Sequence, residues 1–464
     1  MQKGFEGQWL RPASPMERNC EVGHQDGNFL LCYYMSLSTP EPLQEGHVRL
    51  ALTHLYRKVR CLQVCIAERD GVMWLKEASN PDIDFQVIPD GDFHEVMREL
   101  RAYRYCSATG PLWCARLVPD TTSHLTQPHP SHLQPAYPHN HHLFLGLHHG
   151  IVDGMTAMAV CGFIVTLLND VIAGKAINDE QLGEYVIHGE TIQLIEAKKV
   201  AIETDPKLQQ EFVDKARLRN DKPALLKSAI KVPKQIKEES LFLIRDLDSS
   251  TTNKFLNKCR AEGVSLNSGF MALAHVALVD LLVDNGIVQD TYDLLTSHAI
   301  NARRYWKNTT SMVLGCHVLD NIEFYTDTPI NISENFWNFA RKIHAEMQHH
   351  LKTGTVLWEE AFRKLENKSN HDPREFLDAP LPADFYTSNL GDVTSLVTEG
   401  REHVRVTRVF RSISINKRNG TWSHMFHSFR GHLIHVLDYN TRTVTTQMAE
   451  YYCKQLFQHL LEVL

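Results

Sequence analysis

The chain has 464 residues, more than one hydrophobic core usually supports, so two domains or a two-lobed fold are expected. Its 43% apolar and 22% charged residues exclude a globally disordered chain. A net charge of -7 of mixed signs excludes a broad basic surface for nucleic acid, while leaving room for a local pocket that takes an anionic cofactor. The ten cysteines are scattered without CxxC pairs and read as reduced thiols. The first thirty residues hold Glu6, Arg11, Glu17, Arg18 and Asp26 and no apolar run. No secretory signal is therefore read there, and a cytoplasmic location is expected.

Residues 1–25 are polar and read as irregular. "FLLCYYMSL" (Phe29–Leu37) has the composition of a strand. Val48, Leu52, Leu55 and Val59 recur at helical spacing. Leu62, Val64 and Ile66 alternate up to Asp70-Gly71, and Val72 and Trp74 continue beyond it, which predicts a hairpin. "PLWCARLV" (Pro111–Val118) predicts another strand. Residues 119–142 carry five prolines among histidines and read as a long exposed loop or hairpin tip. Gly154 to Asn169 is an uncharged run too short to span a bilayer, which needs ~20 residues, and it reads as a buried helix. Residues 175–240 are charge-rich with helical patches and read as a crossover between lobes. Helices are then expected at Thr251–Glu262 and from Ser268 to about Val283. "YDLLTSHAI" follows as a strand, two more flank Arg430-Gly431, and a last helix runs from about Val444. Strands and helices mix in both halves, so the class is α/β. The expected division is an N-terminal lobe over 1–185, a helical crossover over 186–240 and a C-terminal lobe over 241–464.

One stretch concentrates the chemistry: "HHLFLGLHHGIVDGMTAM", His141 to Met158. Leu143, Leu145 and Leu147 alternate with Phe144, Gly146 and His148, so a strand is expected to end near Gly150, with Asp153-Gly154 opening the apolar helix. That places His148 and His149 at a strand-to-helix corner, where rigid scaffolds commonly carry reactive groups. Each residue also has an ordinary role. A histidine beside an apolar strand can be a satisfied core group, Asp153 can cap the helix, and Gly154 can relieve the backbone. Three readings stay open at this level: proton transfer, packing, and a metal bound by His148, His149 and Asp153. The last is disfavoured because a continuing strand would turn His149 to the face opposite His148. No metal ligand set is assigned.

"HHGIVDG" resembles the HHxxxDG signature of the condensation-type acyltransferase superfamily, which includes condensation domains, alcohol acetyltransferases and polyketide-associated acyltransferases. "PLWCARLV" is similar to the family's strand ahead of the motif, "INARR" (Asn301, Arg303) to its Asn-x-Arg, and "TSNLGDV" (Ser388, Asn389, Gly391) to a Ser-Asn-x-Gly segment. The resemblance covers residues 25–460. It implies two chloramphenicol-acetyltransferase-like lobes in a V-shaped pseudo-dimer, with acyl donor and acceptor entering a tunnel from opposite faces. It also implies that His149 is the general base and that His148 orients the loop. Asp153 would pair with Arg303, beside which Arg304 stands, and Gly154 would allow close backbone approach. Asn301, Ser388 and Asn389 become candidate substrate or tunnel residues. Trp306, Trp358 and Phe385 could line the tunnel, though core packing is the expected role of each. The plant branch's DFGWG segment is absent from "ADFYTSNLGDV". A free-standing enzyme is expected, acting on a coenzyme A thioester and a small-molecule alcohol or amine, with an acyl carrier protein as the other possible donor. No permanently bound cofactor, nucleic acid or membrane span is expected, and the chain is expected to be a monomer. A catalytically silent thioester-binding protein of the same fold is the alternative.

Overall fold

A computed structural model describes residues 7–119, 136–186, 189–222, 224–307, 312–366, 383–398, 400, 402–415 and 422–464. The chain divides into two compact units, Met1–Gly189 with Trp306–His317 and Asp392–Ser414, and Glu190–Tyr305 with Val318–Gly391 and Ile415–Leu464. The division is not sequential: two segments from the second half of the chain, 306–317 and 392–414, belong to the first unit.

The first unit is built on a five-stranded sheet in the order Arg405–Ile413, Leu30–Thr39, His139–His148, Trp113–Pro119, Asp84–Val87. Neighbours are antiparallel except the last pair. The hairpin around Asp70-Gly71 forms as expected, Val64–Arg69 against Val72–Glu77. Helix Glu45–Lys58 packs on the apolar helix Gly154–Ile172, and Phe93–Arg101 lies against the strand Leu30–Thr39. The central strands are buried on both faces, so their residues read as continuous apolar runs.

The second unit carries a six-stranded sheet in the order Val318–Pro329, Thr291–Asn301, Phe385–Asp392, Trp422–Phe429, His432–Asn440, Ser240–Leu247. Helix Leu266–Asp284 is its core element, with Phe336–Thr353 and Thr446–Glu462 packed on it. Helices Gly154–Ile172 and Leu266–Asp284 are long and apolar enough to cross a bilayer, but 67% and 78% of those windows are buried inside the protein. They are the buried helices the sequence suggested. Both units mix helices and sheet, as the α/β reading requires.

Three readings change. Residues 1–25 are not irregular: Trp9–Pro12 is a strand and Pro15–Gln25 a helix. Ser14 and Glu17 close a capping box with Pro15 in the first turn. This helix buries charge rather than an apolar stripe, because Arg11 and Glu17 form a bidentate pair at 2.6 and 2.7 Å with both residues buried. Second, the strand expected to begin after the histidine-rich segment includes its end, for His139–His148 is one strand. His141 and His142 are buried in it, accepting from the Leu43 amide and bonding Tyr34 Oη through ring nitrogens. Most of the proline-rich segment, 120–135, lies outside the described residues. Third, that strand ends at His148, not Gly150.

Candidate active site

The corner after His148 is held by four close hydrogen bonds. The Gly150 amide donates to His148 Nδ1 at 3.0 Å, and the Ile151 amide to the His148 carbonyl at 3.2 Å. A Cβ on Gly150 would sit 2.9 Å from Ile66 Cδ1 and 3.0 Å from His148 Nδ1, so a larger residue there would push the Ile66 tip aside and crowd the ring. Asp153 is the N-cap of helix Gly154–Ile172, its Oδ1 accepting the Thr156 amide at 2.8 Å. Gly154 is the first helical residue, and its carbonyl accepts from Tyr33 Oη at 3.3 Å.

The same corner grips a segment far away in sequence. Asp153 Oδ2 accepts the His317 amide at 2.8 Å. Thr156 Oγ1 donates to the Gly315 carbonyl at 2.8 Å and accepts the Gly315 amide at 3.1 Å. The Asp153 amide reaches the same carbonyl at 3.2 Å. Gly315 has φ +126, a conformation side-chain-bearing residues rarely adopt. The result is to deliver Cys316 beside His149.

His149 Nδ1 lies 2.9 Å from the Val152 carbonyl. A carbonyl only accepts, so Nδ1 carries the proton and Nε2 keeps its lone pair. A ring nitrogen of His149 and the sulfurs of Cys20 and Cys316 all lie within 4.8 Å of one another. Burial works against the imidazolium, but the hydrogen bond and negative charge of Cys316 outweigh it, and His149 titrates above its ordinary value. The Cys316 thiol is drawn down to about 7, chiefly by a hydrogen bond from Cys20 and, against the effect of burial, by His149. Cys20 is buried, while His149 and Cys316 are partly exposed.

His148 faces a different set. Its Nε2 lies 3.0 Å from Glu21 Oε2, and its ring meets His24 edge-on at 4.7 Å between centroids. Burial opposes ionisation of Glu21, yet the His148 contact, with further hydrogen bonds from Gln25 and Ser107, holds its carboxyl below the usual range. His24 falls to about 4 through burial and the neighbouring His148. Glu21, His24 and His148 offer three metal-ligand atoms within reach of one another, but the protons forbid it. His148 Nδ1 accepts the Gly150 amide and His24 Nε2 the Tyr105 amide at 3.0 Å. Each ring's remaining nitrogen therefore carries its hydrogen toward Glu21, and neither has a lone pair to give. The set fixes His148 and, through Gly150, the turn that presents His149. His148, His149 and Asp153 do not converge on one point, so the metal reading built on those three is wrong for this geometry.

Asn301, Arg303, Ser388, Asn389, Phe385 and Trp358 lie in the second unit. Asn301 ends a strand, its Oδ1 accepting from the Arg303 amide at 3.1 Å and from Arg303 Nη1 at 3.2 Å. Ser388 and Asn389 lie in the strand Phe385–Asp392, where Asn389 Oδ1 accepts the Gly391 amide at 2.8 Å. Phe385 is fully buried against His275 and His424, and Trp358 stacks beside Phe212. Both are packing residues. Trp306, in the first unit, meets the His317 ring edge-on.

Sequence reasoning missed Cys20, Glu21, His24, Thr156 and Cys316. The first three were hidden with their helix, although Ser14-Pro15 and Glu17 formed a readable start signal. No local pattern announces Cys316, because only the fold brings it to His149.

No protein-family model matches the chain, and no curated protein matches it. Solved structures do. The trichothecene 15-O-acetyltransferase TRI3 of Fusarium sporotrichioides is 12% identical, with a TM-score of 0.69 over 98% of this chain and 94% of that one. The epimerization domain from the third module of tyrocidine synthetase B is 14% identical, with a TM-score of 0.65 over 100% and 97%. Polyketide synthase associated protein 5 of Mycobacterium tuberculosis is 13% identical, with a TM-score of 0.63 over 98% and 99%. The class is thereby defined: the chain has the condensation-domain and acetyltransferase-like fold along its whole length. At these identities the likeness establishes the fold, and one fold hosts more than one chemistry.

Proposed function

We propose that the protein is a free-standing acyltransferase that moves an acyl group from a coenzyme A thioester to an alcohol or amine, with His149 as general base. One observation carries the reading: the Val152 carbonyl holds the Nδ1 proton of His149, leaving Nε2 as a basic lone pair at a corner built to present it. An alcohol attacks a thioester slowly unless its proton leaves as the new bond forms, and a positioned imidazole supplies ~10²–10⁴-fold for that step. In balance, the acceptor's proton passes to Nε2, the carbon–oxygen or carbon–nitrogen bond forms, the carbon–sulfur bond breaks, and Nε2 returns the proton to the departing thiolate. His148, locked against Glu21 and the Gly150 amide, positions the turn, and Asp153 holds the helix to it. An acyl carrier protein thioester is the second reading of the donor.

The test is thiol release from a panel of acyl-coenzyme A thioesters with pooled alcohols and amines as acceptors. Acceptor-dependent release is expected in the wild-type protein and not in a His149→Ala variant of unchanged melting temperature. Release that ignores the acceptor, or that persists in that variant, would sink the reading. Release only from acyl carrier protein thioesters would reassign the donor.

A further inference from the structure

We propose that Cys20, His149 and Cys316 form a binding site for one Zn²⁺ ion, with two thiolates and the His149 imidazole as ligands and the fourth position open. The site stands on geometry independent of the transferase reading. The three ligand atoms already lie within 4.8 Å of one another. Tetrahedral zinc, with Zn–S of ~2.3 Å and Zn–N of ~2.0–2.1 Å, needs its sulfurs roughly 3.8 Å apart and each sulfur at a similar distance from the nitrogen. Small side-chain rotations close that gap.

Proton placement separates this cluster from its neighbour. A zinc-bound histidine normally donates its other ring N–H to a carbonyl or carboxylate, which leaves the ligating nitrogen its lone pair. His149 does this through Nδ1 and the Val152 carbonyl at 2.9 Å. His148 and His24, a few ångströms away, do the reverse by accepting backbone amides. Of the two clusters of metal-ligand type among the described residues, only the first is wired to bind. Its two sulfurs and one imidazole nitrogen select zinc over magnesium or calcium, which take oxygen ligands.

The ligands come from three elements, each independently fixed. Helix Pro15–Gln25 carries Cys20 and is anchored by the buried Arg11–Glu17 pair. The turn after His148 carries His149, and the Gly315–His317 segment carries Cys316 under the grip of Asp153 and Thr156. Little ordering is left for the ion to impose, a condition for tight binding. Partial exposure of His149 and Cys316 provides the entry side. One consequence does rest on the transferase reading: the ion occupies the lone pair that would accept the acceptor's proton, so zinc is a reversible inhibitor.

The experiment titrates Co²⁺ into the full chain after chelator treatment, in a non-thiol reductant. One equivalent should bind with an intense near-ultraviolet sulfur-to-cobalt band that Zn²⁺ then abolishes. The band should weaken in Cys20→Ser and in Cys316→Ser, vanish in the double variant, and persist in Cys106→Ser, which removes an exposed thiol outside the site. Because serine variants can fail to fold, the wild-type protein is also alkylated with and without Zn²⁺ and mapped by peptide mass. Cys316, the partly exposed ligand, should be protected by zinc. No cobalt band, a band that survives in a folded double variant, or equal alkylation of Cys316 with and without zinc overturns the site. A chain that transfers acyl groups yet binds no cobalt loses this inference alone, and one that binds cobalt yet transfers nothing loses only the reading of the preceding section.

Discussion

Two groups of histidines in this protein differ in everything except residue type. In the second unit His275, His298, His424 and His435 are fully buried. His424 bonds His435 through Nδ1 and Tyr452 Oη through Nε2, each at 2.9 Å, and His298 sits between Thr296 and Thr387 hydroxyls. Burial drives their pKa values far down, His275 to about 4 and His298 and His435 to about 3. They are neutral core groups with both nitrogens or one spent on internal partners. His149, by contrast, gives Nδ1 to the Val152 carbonyl, keeps partial exposure, and is pushed upward against burial by the hydrogen bond and negative charge of the Cys316 thiol beside it. A histidine becomes a proton-transfer candidate through what its second nitrogen faces, not through its neighbours in sequence.

Several perturbations sharpen that contrast. The largest effect on stability is expected at the helix that supports the corner. Glu17→Ala strands Arg11 without its partner, and breaking such a buried pair costs ~3–5 kcal/mol. Urea unfolding should show a loss of this size, whereas a loss under about 1 kcal/mol would mean that Arg11 finds water instead. Asp153→Ala removes the acceptor for both the Thr156 and His317 amides. A cost of ~1–3 kcal/mol is expected in the same measurement, together with weaker acyl transfer per folded molecule as Cys316 and the turn loosen.

His424→Phe tests the other group of histidines. It strips a partner from His435 and from Tyr452, so stability should fall by ~1–3 kcal/mol. Acyl transfer by the folded fraction should not change, and a specific loss of turnover there would erase the distinction drawn above. The smallest effect belongs to His459, whose hydrogen bond to Asp280 raises its pKa above the ordinary value in the folded state. A raised histidine pKa adds stability that is complete below the unfolded value near 6.5 and is lost as pH rises through the higher folded value. The pair is partly exposed, so at most about 1 kcal/mol is expected between pH 6 and pH 9. In His459→Gln that slope should flatten, and an unchanged slope would assign it to other groups.

Much of the fold was legible because its signals are local. Alternation marked Val64–Arg69 and Val72–Glu77 on either side of Asp70-Gly71, and unbroken apolar runs marked the two core helices. The strand-to-helix corner at His148–Gly154 was legible in the same way. What stayed hidden is non-local or polar. Helix Pro15–Gln25 turns Glu17, Glu21 and His24 inward, so hydrophobic periodicity passes over it. Cys316 reaches His149 only because Asp153 and Thr156 clamp a segment from the other half of the chain. The strand Arg405–Ile413, which completes the first unit's sheet against Leu30–Thr39, was missed for the same long-range reason.

The central claim is that His149 moves a proton, and its most direct test is kcat/KM for acceptor-dependent acyl transfer in chelator-treated His149→Ala, with and without added imidazole. The expected result is a fall of ~10²–10⁴-fold, partly restored by imidazole occupying the vacated volume, with melting unchanged. A folded His149→Ala protein that retains the wild-type rate would contradict it.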